Sequence, residues 1–169
     1  MSESTDPRPR RDLVDRIESE WAQAYPSLDV AAIGVLGRIQ RIATASNNRL
    51  DRRLQSHGIA RSEFDVLGTL ARSPRPLSAS EVVSTTMLSG ASITKITEQL
   101  SRRGLLERSR SERDGRVVLL TLTEEGRRLV DAELPRRLAD DNDVLAPLAV
   151  ADRIRLADLL RCICRELGE

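Results

Sequence analysis

The feature that most constrains the fold is a change of apolar period within residues 78–123. Helical spacing runs through SASEVVST and GASITKITEQLSRRG and then gives way to LLERSR and VVLLTLT, which are typical of β-strands. Ser78 and Glu81 have the S-x-x-E spacing of a capping box, which predicts the start of a short helix. Asp114-Gly115 lies between the two β-type runs and predicts a tight turn.

Helical spacing also predicts two helices before this segment. Leu13, Ile17 and Trp21 recur every fourth residue and form one apolar stripe, which predicts a helix at residues 10–25. A longer pattern of the same kind predicts a second helix at residues 30–56.

Three further helices complete the expected set. Ser62 is predicted to cap the first of them, with Asp65 at the third position behind it, and the SPRP segment ends it. Thr123 is predicted to cap a long helix that contains Pro135. After another proline, the last helix is expected at residues 150–167.

The order of helix, short helix, turn, helix and two-stranded hairpin is that of a winged helix-turn-helix, whose second motif helix enters the major groove of DNA. Such a recognition helix needs small polar and basic residues on its exposed face, and its N-terminal amides favour a phosphate. The residues predicted to contact DNA from this helix are Ser89, Ser92, Thr94, Lys95 and Gln99.

The hairpin, or wing, needs a basic tip that reaches the DNA backbone or the minor groove. Arg110, Arg113 and Arg116 supply that charge and are predicted to contact DNA. Asp114 and Gly115 are predicted to shape the turn between the two strands.

Charge is distributed unevenly, although the whole chain carries a formal net charge of only +1. Residues 102–116 contain six Arg and three acidic residues, whereas residues 131–169 contain six Arg and nine acidic residues. A basic wing and an acidic helical end are typical of a DNA-binding part with a separate association part.

The predicted fold class is mainly α with a small β-hairpin wing, namely a winged helix-turn-helix domain plus a helical dimerisation domain. Four segments are expected: a disordered tail at residues 1–9, N-terminal helices of the dimerisation region at 10–57, the winged helix-turn-helix DNA-binding lobe at 58–123, and C-terminal dimerisation helices at 124–169.

Composition argues against several other classes of protein. The chain has one histidine, His57, and two cysteines, Cys162 and Cys164, so we expect no metal site, no cofactor and no enzymatic activity. Aromatic residues make up 2% of the chain, which disfavours binding of single strands by base stacking. The sequence shows neither an apolar run of about 20 residues nor a secretory signal pattern, so a cytoplasmic protein without a membrane partner is expected.

The segment LSGASITKITEQLSRRGLLERSRSERDGRVVLLTLTEEGRRLV resembles the MarR family of bacterial transcriptional regulators. Its most specific part is the wing, where Asp114, Gly115 and Arg116 fit the family's D-x-R and LTEEG fits its LT-x-x-G. The resemblance covers residues 30–167 and implies a homodimeric repressor built on the first long helix and the last two helices. It also implies a palindromic site in double-stranded DNA and a small aromatic or phenolic effector.

The N-terminal segment IESEWAQAYPSLDVAAIGVLGRI, together with SEFDVL, is similar to the urate-responsive branch of that family. Trp21 and Asp65 match the branch's Trp and Asp, and the resemblance makes them the predicted effector contacts. The branch also has an Arg on the recognition helix, where this chain has Ile96. This departure implies a pocket that prefers a neutral or weakly acidic aromatic ligand over urate, unless another Arg reaches in.

Alternative interpretations remain open at this stage. Trp21 also continues an apolar stripe that can pack in a dimer, and Asp65 is favourable at a helix N-terminus whatever it binds. A winged-helix protein-interaction module would expose an apolar patch in place of the polar recognition face. A thiol-based redox-sensing regulator would use Cys162 or Cys164, of which one is expected to be a buried core thiol. His57 is expected to lie at a helix C-terminus, where the helix dipole favours its protonated form.

Overall fold

A computed structural model describes residues 11–86 and 88–167, so the tail predicted at residues 1–9 lies outside the described residues. The described residues divide into two units, the first ending at residue 45 and the second beginning at residue 46, and the boundary falls within the second helix. In chain order the elements are α1 Leu13–Ala24, α2 Ala31–Gln55, α3 Arg61–Ala71, β1 Leu77–Ser78, α4 Ala79–Thr85, α5 Gly90–Arg102, β2 Leu106–Arg110, β3 Val118–Leu122, α6 Glu124–Leu145 and α7 Val150–Glu166.

An ion cluster fastens α1 to the first part of α2 within the first unit. Asp12 caps α1 by accepting hydrogen bonds from the amides of Val14 and Asp15, so the helix begins at Leu13 rather than at residue 10. Arg38 of α2 lies 3.0 Å from the Asp12 carboxylate and 2.7 Å from that of Asp15. Hydrogen bonds from the Asp12 amide and from Arg38 hold the pKa of Asp15 below its ordinary value.

In the second unit, α3, α4 and α5 pack with the sheet around one apolar core. This core explains the predicted helical spacing, because the apolar residues of α3 and α5 turn inward and exclude water. Its largest side chains with under 2% exposure are Phe64, Leu54, Leu67, Ile93, Leu100, Leu106 and Leu120.

The sheet has three antiparallel strands in the order β1-β3-β2, whereas the sequence predicted only the two strands of the hairpin. Leu77 of β1 pairs with Leu120 in the middle of β3, and Leu106 of β2 pairs with Leu122 at its C-terminal end. Strand β1 has two residues, which are too few to show the alternation that identifies a strand. It joins the base of the wing to the segment where α4 begins.

Two helix starts show how far capping rules predict boundaries. The N-cap of α3 is Ala60 rather than the predicted Ser62, because Glu63 Oε2 accepts the Ala60 N–H at 2.8 Å. Thr123 caps α6 as predicted, since its Oγ1 accepts a hydrogen bond from Gly126 N at 3.1 Å.

The last helix, α7, buries none of its residues within the chain. Cys162 and Cys164 are both exposed free thiols, so the expectation that one of them is a buried core thiol is wrong. The physical reason is that α7 contributes no buried residue to a core, so neither thiol is enclosed. Within residues 11–86 and 88–167, no helix has the length and hydropathy that crossing a membrane requires.

Candidate functional site

Helix α4 begins with the predicted capping box. Ser78 Oγ accepts the Glu81 N–H at 3.3 Å, and Glu81 Oε2 accepts the Ser78 N–H at 2.7 Å. Arg75, in the loop before β1, donates to the other Glu81 oxygen. The hydrogen bond from Arg75, followed by those from Ser78, lowers the pKa of Glu81 to about 2. These contacts fix the start of the helix that precedes α5.

We expect Glu81→Gln to lower the melting temperature at neutral pH and to lose this effect in acid. Because the folded pKa of Glu81 is about 2, below its ordinary value, the stability it contributes is complete above the ordinary pKa and disappears as the pH falls toward the folded one. Thermal unfolding followed by circular dichroism over an acid series measures the difference. Glu112→Gln, at an exposed wing position, is the control, and a Glu81→Gln difference that is the same at every pH would contradict the assignment.

Helix α5 has one buried face and one exposed face, as its spacing predicted. Ser89 caps it by accepting the Ser92 N–H on its Oγ at 3.2 Å. The first turn of α5 contains no acidic residue, so its N-terminal amides remain favourable for an anion. The buried face consists of Ile93, Ile96, Thr97 and Leu100.

The five residues predicted to contact DNA from this helix differ in exposure. Ser89, Thr94 and Lys95 are exposed, whereas Ser92 and Gln99 are half-buried. Three hydroxyls already have partners, since Thr94 Oγ1 donates to the helix backbone at 3.1 Å and the Ser89 and Ser92 oxygens lie 2.9 Å apart. Lys95 takes part in no ion pair of the described residues. Its ammonium group is therefore a free positive charge near the N-terminal end of this face.

The wing also presents cations that are not neutralised. Arg110, Arg113 and Arg116 are all exposed, and none of them pairs with a carboxylate of the described residues. Arg108, by contrast, lies 3.2 Å from Glu98 of α5. The three arginines nearest the wing tip are thus available to an anionic partner.

Asp114 shapes the connection between β2 and β3. Its carboxylate accepts the Arg116 N–H at 3.0 Å, and its carbonyl accepts the Val117 N–H at 2.9 Å. Gly115 does not adopt a positive φ, and a Cβ there would meet open space. The turn therefore depends on the Asp114 side chain, while the two-residue turn with positive φ that Asp-Gly suggests is not formed.

A cavity of about 1130 Å³ opens in the second unit between α3 and α6. Asp65, one of the two predicted effector contacts, lines this cavity. The volume lies slightly above the range of about 300–1,000 Å³ that small-molecule pockets usually have. Apolar lining is contributed by Phe64, Leu88, Val130, Leu134 and Leu138.

Four arginines also line the cavity, and two of them are neutralised. Arg61 lies 3.8 Å from Asp51, and Arg137 lies 3.3 Å from Asp65. The Asp65 carboxylate, predicted to accept hydrogen bonds from a ligand, is thus engaged by an arginine of α6.

The other two arginines of the cavity have no carboxylate partner within the described residues. Arg72 donates to Thr69 Oγ1 at 3.0 Å, and Arg127 donates to the Ala71 carbonyl at 2.8 Å. Sequence reasoning missed both, because in a chain with 26 Arg no local pattern separates these two from the rest. Both lie near the C-terminal end of α3, and Asp131 of α6, which also lines the cavity, forms an ion pair with neither of them.

The structure gives the surroundings of the two other residues of the effector prediction, Ile96 and Trp21. Ile96 lies on the buried face of α5 and does not line the cavity beside Asp65. It lines a smaller cavity of about 420 Å³ with Gln99, Arg102 and Arg103. The preference for a neutral ligand was predicted unless another Arg reaches in, and Arg72 and Arg127 line the cavity beside Asp65. Trp21 lies in the first unit, 47% exposed, with its ring centroid 5.4 Å from that of Tyr25, and its contact with an effector stays a prediction.

Comparison with known proteins decides the family. The sequence model of the MarR family matches residues 57–117. The HTH-type transcriptional regulator PecS of Dickeya dadantii (strain 3937) is 30% identical over 149 residues, which cover 87% of this chain and 90% of that protein. The chain belongs to the MarR family.

Solved structures of MarR regulators share the fold. AbsC of Streptomyces coelicolor superimposes with a TM-score of 0.75 at 21% identity, covering 83% of this chain and 96% of that one. BpsR of Bordetella bronchiseptica, whose DNA binding is regulated by 6-hydroxynicotinic acid, matches with a TM-score of 0.68 at 27% identity, covering 77% of this chain and 92% of that one.

Membership of the MarR family confirms the central predictions from the sequence. The chain is a DNA-binding winged-helix transcriptional regulator and not an enzyme. The mainly α fold with a small wing is confirmed as well. Family membership favours the regulator over the winged-helix interaction module, and it leaves the role of the two thiols untested.

Proposed function

We propose that this MarR protein is a repressor that binds a palindromic operator as a homodimer and is released by a small aromatic acid. The observation that carries the DNA-binding part is the group of exposed cations without carboxylate partners on α5 and the wing. This group includes Lys95, Arg110, Arg113 and Arg116, together with Arg102 at the end of α5.

In this proposal α5 is the recognition helix and enters the major groove. Lys95 reads a base edge, assisted by Ser92 and Gln99 one turn to either side of it. Ser89 and Thr94 lie at the exposed N-terminal end, where hydroxyls and amides suit a phosphate. The wing arginines contact the backbone or the minor groove, where they add affinity without sequence preference.

We expect Lys95→Ala to cost about 1–3 kcal/mol of binding free energy on a duplex selected in vitro by the wild-type protein, and much less on a scrambled duplex. The reason is that a base contact distinguishes sequences, whereas a phosphate contact does not. Fluorescence anisotropy over a salt series measures both. Arg128→Ala, which removes an equal charge from an exposed position of α6 paired with Glu125, is the matched control.

Arg116→Ala serves as the contrasting variant in the same experiment. Its loss should weaken binding to both duplexes alike and reduce the salt slope by about one unit, as for a phosphate contact. Equal losses for Lys95→Ala on the selected and scrambled duplexes would refute base reading by α5. A Lys95→Ala protein that binds as tightly as wild type would refute the recognition-helix assignment itself.

The homodimer is proposed because both units leave large apolar side chains exposed. On α7, Leu156, Leu159 and Ile163 follow one another at spacings of three and four residues and are 37%, 57% and 43% exposed. Such a stripe is the pattern of a helix that packs against another surface. In the first unit the exposed apolar residues are Trp21, Tyr25, Leu28, Val35, Leu36, Ile39 and Ile42.

The effector is proposed to be an aromatic carboxylate bound in the cavity beside Asp65. Apolar side chains on α3 and α6 suit an aromatic ring, and Arg72 and Arg127 suit a carboxylate because no acidic residue neutralises them. The DNA binding of the similar protein BpsR responds to 6-hydroxynicotinic acid, which belongs to this chemical class.

We expect 6-hydroxynicotinic acid to bind more tightly than its neutral amide, and Arg72→Gln to weaken binding of the acid by about 1.5–3 kcal/mol, the usual value of a hydrogen bond to a charged group. Isothermal titration calorimetry measures both ligands. Arg61→Gln is the matched control because Arg61 lines the same cavity but pairs with Asp51. Equal affinity for the acid and the amide would exclude a carboxylate site at Arg72.

A further inference from the structure

A corner at residues 56–58 follows α2 and is held by elements that are distant in sequence. Gly58 adopts a positive φ of 61° and turns the chain toward α3. His57, immediately before it, is the one histidine of the chain. Its Nε2 lies 3.2 Å from Glu133 Oε1 of α6. The corner thus connects the end of α2 to α6 through an imidazole and a carboxylate.

The Glu133 carboxylate is an unusual partner because it is buried, with 1% of the residue exposed. Glu133 Oε1 lies within hydrogen-bond distance of His57 and accepts a hydrogen bond from Arg136 at 2.8 Å. Its other oxygen, Oε2, is buried without a hydrogen-bond partner among the described residues. A buried carboxylate with an unsatisfied oxygen is costly, so an added positive charge on His57 stabilises it strongly. Protonated His57 therefore binds Glu133 more firmly than neutral His57 does.

The same corner holds the C-terminal end of α5. Arg103, the C-cap of α5, donates to the His57 carbonyl at 2.9 Å and to the Gly58 carbonyl at 2.8 Å. Arg102, the preceding residue, forms no such contact with the corner. A chain of contacts consequently leads from Glu133 through His57 and its backbone to the end of α5.

Other charged groups surround this chain of contacts on each packed element. Arg53, in the last turn of α2 and four residues before His57, pairs with Asp140 of α6 at 3.0 Å. Glu63 of α3 lies 3.7 Å from Arg103. Among ordinary side chains, histidine is the one that changes charge between about pH 5 and 8.

We propose that His57 is a positioning residue for DNA binding, which fixes the end of α5 through Arg103 and does so more firmly when it is protonated and paired with Glu133. The inference rests on the proposed role of α5 as the recognition helix. It makes operator affinity depend on pH near neutrality, with tighter binding on the acid side.

The test determines the affinity of the full-length protein for the selected duplex by fluorescence anisotropy. The pH is lowered from about 8 to about 5.5, the range in which histidine ordinarily titrates. We expect wild-type affinity to rise by about fivefold or more, the usual lower size of a coupling between sites. His57→Gln keeps a neutral donor for Glu133, and we expect its affinity to stay close to the alkaline wild-type value at every pH. Arg103→Gln should also lose the pH dependence, whereas the matched variant Arg102→Gln should keep it.

Melting temperatures of all four proteins at each pH separate positioning from unfolding. A loss of pH dependence in a variant that is folded across the range supports the proposal. A wild-type affinity that does not change with pH, or a pH dependence that survives in folded His57→Gln, overturns it. These outcomes test only the role of the corner. The recognition-helix assignment has its own test, because it is refuted if Lys95→Ala binds DNA as tightly as wild type.

Discussion

Gly126→Ala is expected to lower the free energy of unfolding by about 3 kcal/mol or more, the upper range for overpacking a dense site. A Cβ at Gly126 would lie 2.1 Å from the Leu105 carbonyl oxygen and 2.8 Å from Leu122 Cδ1. The first of these atoms belongs to the backbone beside β2, so it cannot swing away as the end of a long side chain can. The base of the wing or the first turn of α6 must move instead.

Urea unfolding followed by circular dichroism measures this loss. Gly68→Ala in α3 is the control, because a Cβ there meets no atom within 4 Å and alanine favours the helix. We expect this control to be as stable as wild type or slightly more stable. If Gly126→Ala has the same urea midpoint of unfolding as wild type, the close approach between α6 and Leu105 is not present in solution.

The second large effect is expected for Leu159→Asp on α7, which should abolish the proposed homodimer. Obligate interfaces bury over about 2,000 Å² and are largely apolar, so a carboxylate in the middle of an apolar stripe would be buried without a partner. Light scattering coupled to gel filtration should show a wild-type dimer at micromolar concentration and a monomeric or unfolded variant.

Arg165→Asp is the matched control for the dimer, because it introduces the same carboxylate on α7 away from the stripe that contains Leu159. We expect this variant to remain dimeric. A wild-type protein that is a stable monomer at micromolar concentration would refute the dimer, and a Leu159→Asp protein that stays dimeric would move the interface away from α7.

Local chemistry made much of the fold predictable. The capping box of Ser78 and Glu81 and the cap at Thr123 gave correct helix starts, because each needs residues only three positions apart. The spacing of α5 gave its buried face for a similar reason. Ala60 could not be predicted as a cap, since its own side chain makes no capping bond and Glu63 binds its amide instead.

Features that depend on distant residues could not be predicted in this way. His57 and Glu133 are 76 positions apart, and nothing around either one indicates that α2 and α6 bring them together. The charge of the cavity was also hidden, because Arg72 and Arg127 resemble every other exposed arginine until α3 and α6 are packed. Family resemblance drew attention to Ile96 instead, which the core of the second unit buries.

The pairing of β1 with the wing hairpin has a consequence for how the operator preference of such a protein can change in evolution. Because β3 is paired on both sides, with β1 at its middle and β2 along its length, the segment of residues 111–117 projects from a supported platform. Insertions or substitutions in that segment need not disturb the ladder or the start of α4. The tip can therefore acquire new DNA contacts by mutation while the recognition helix keeps its place.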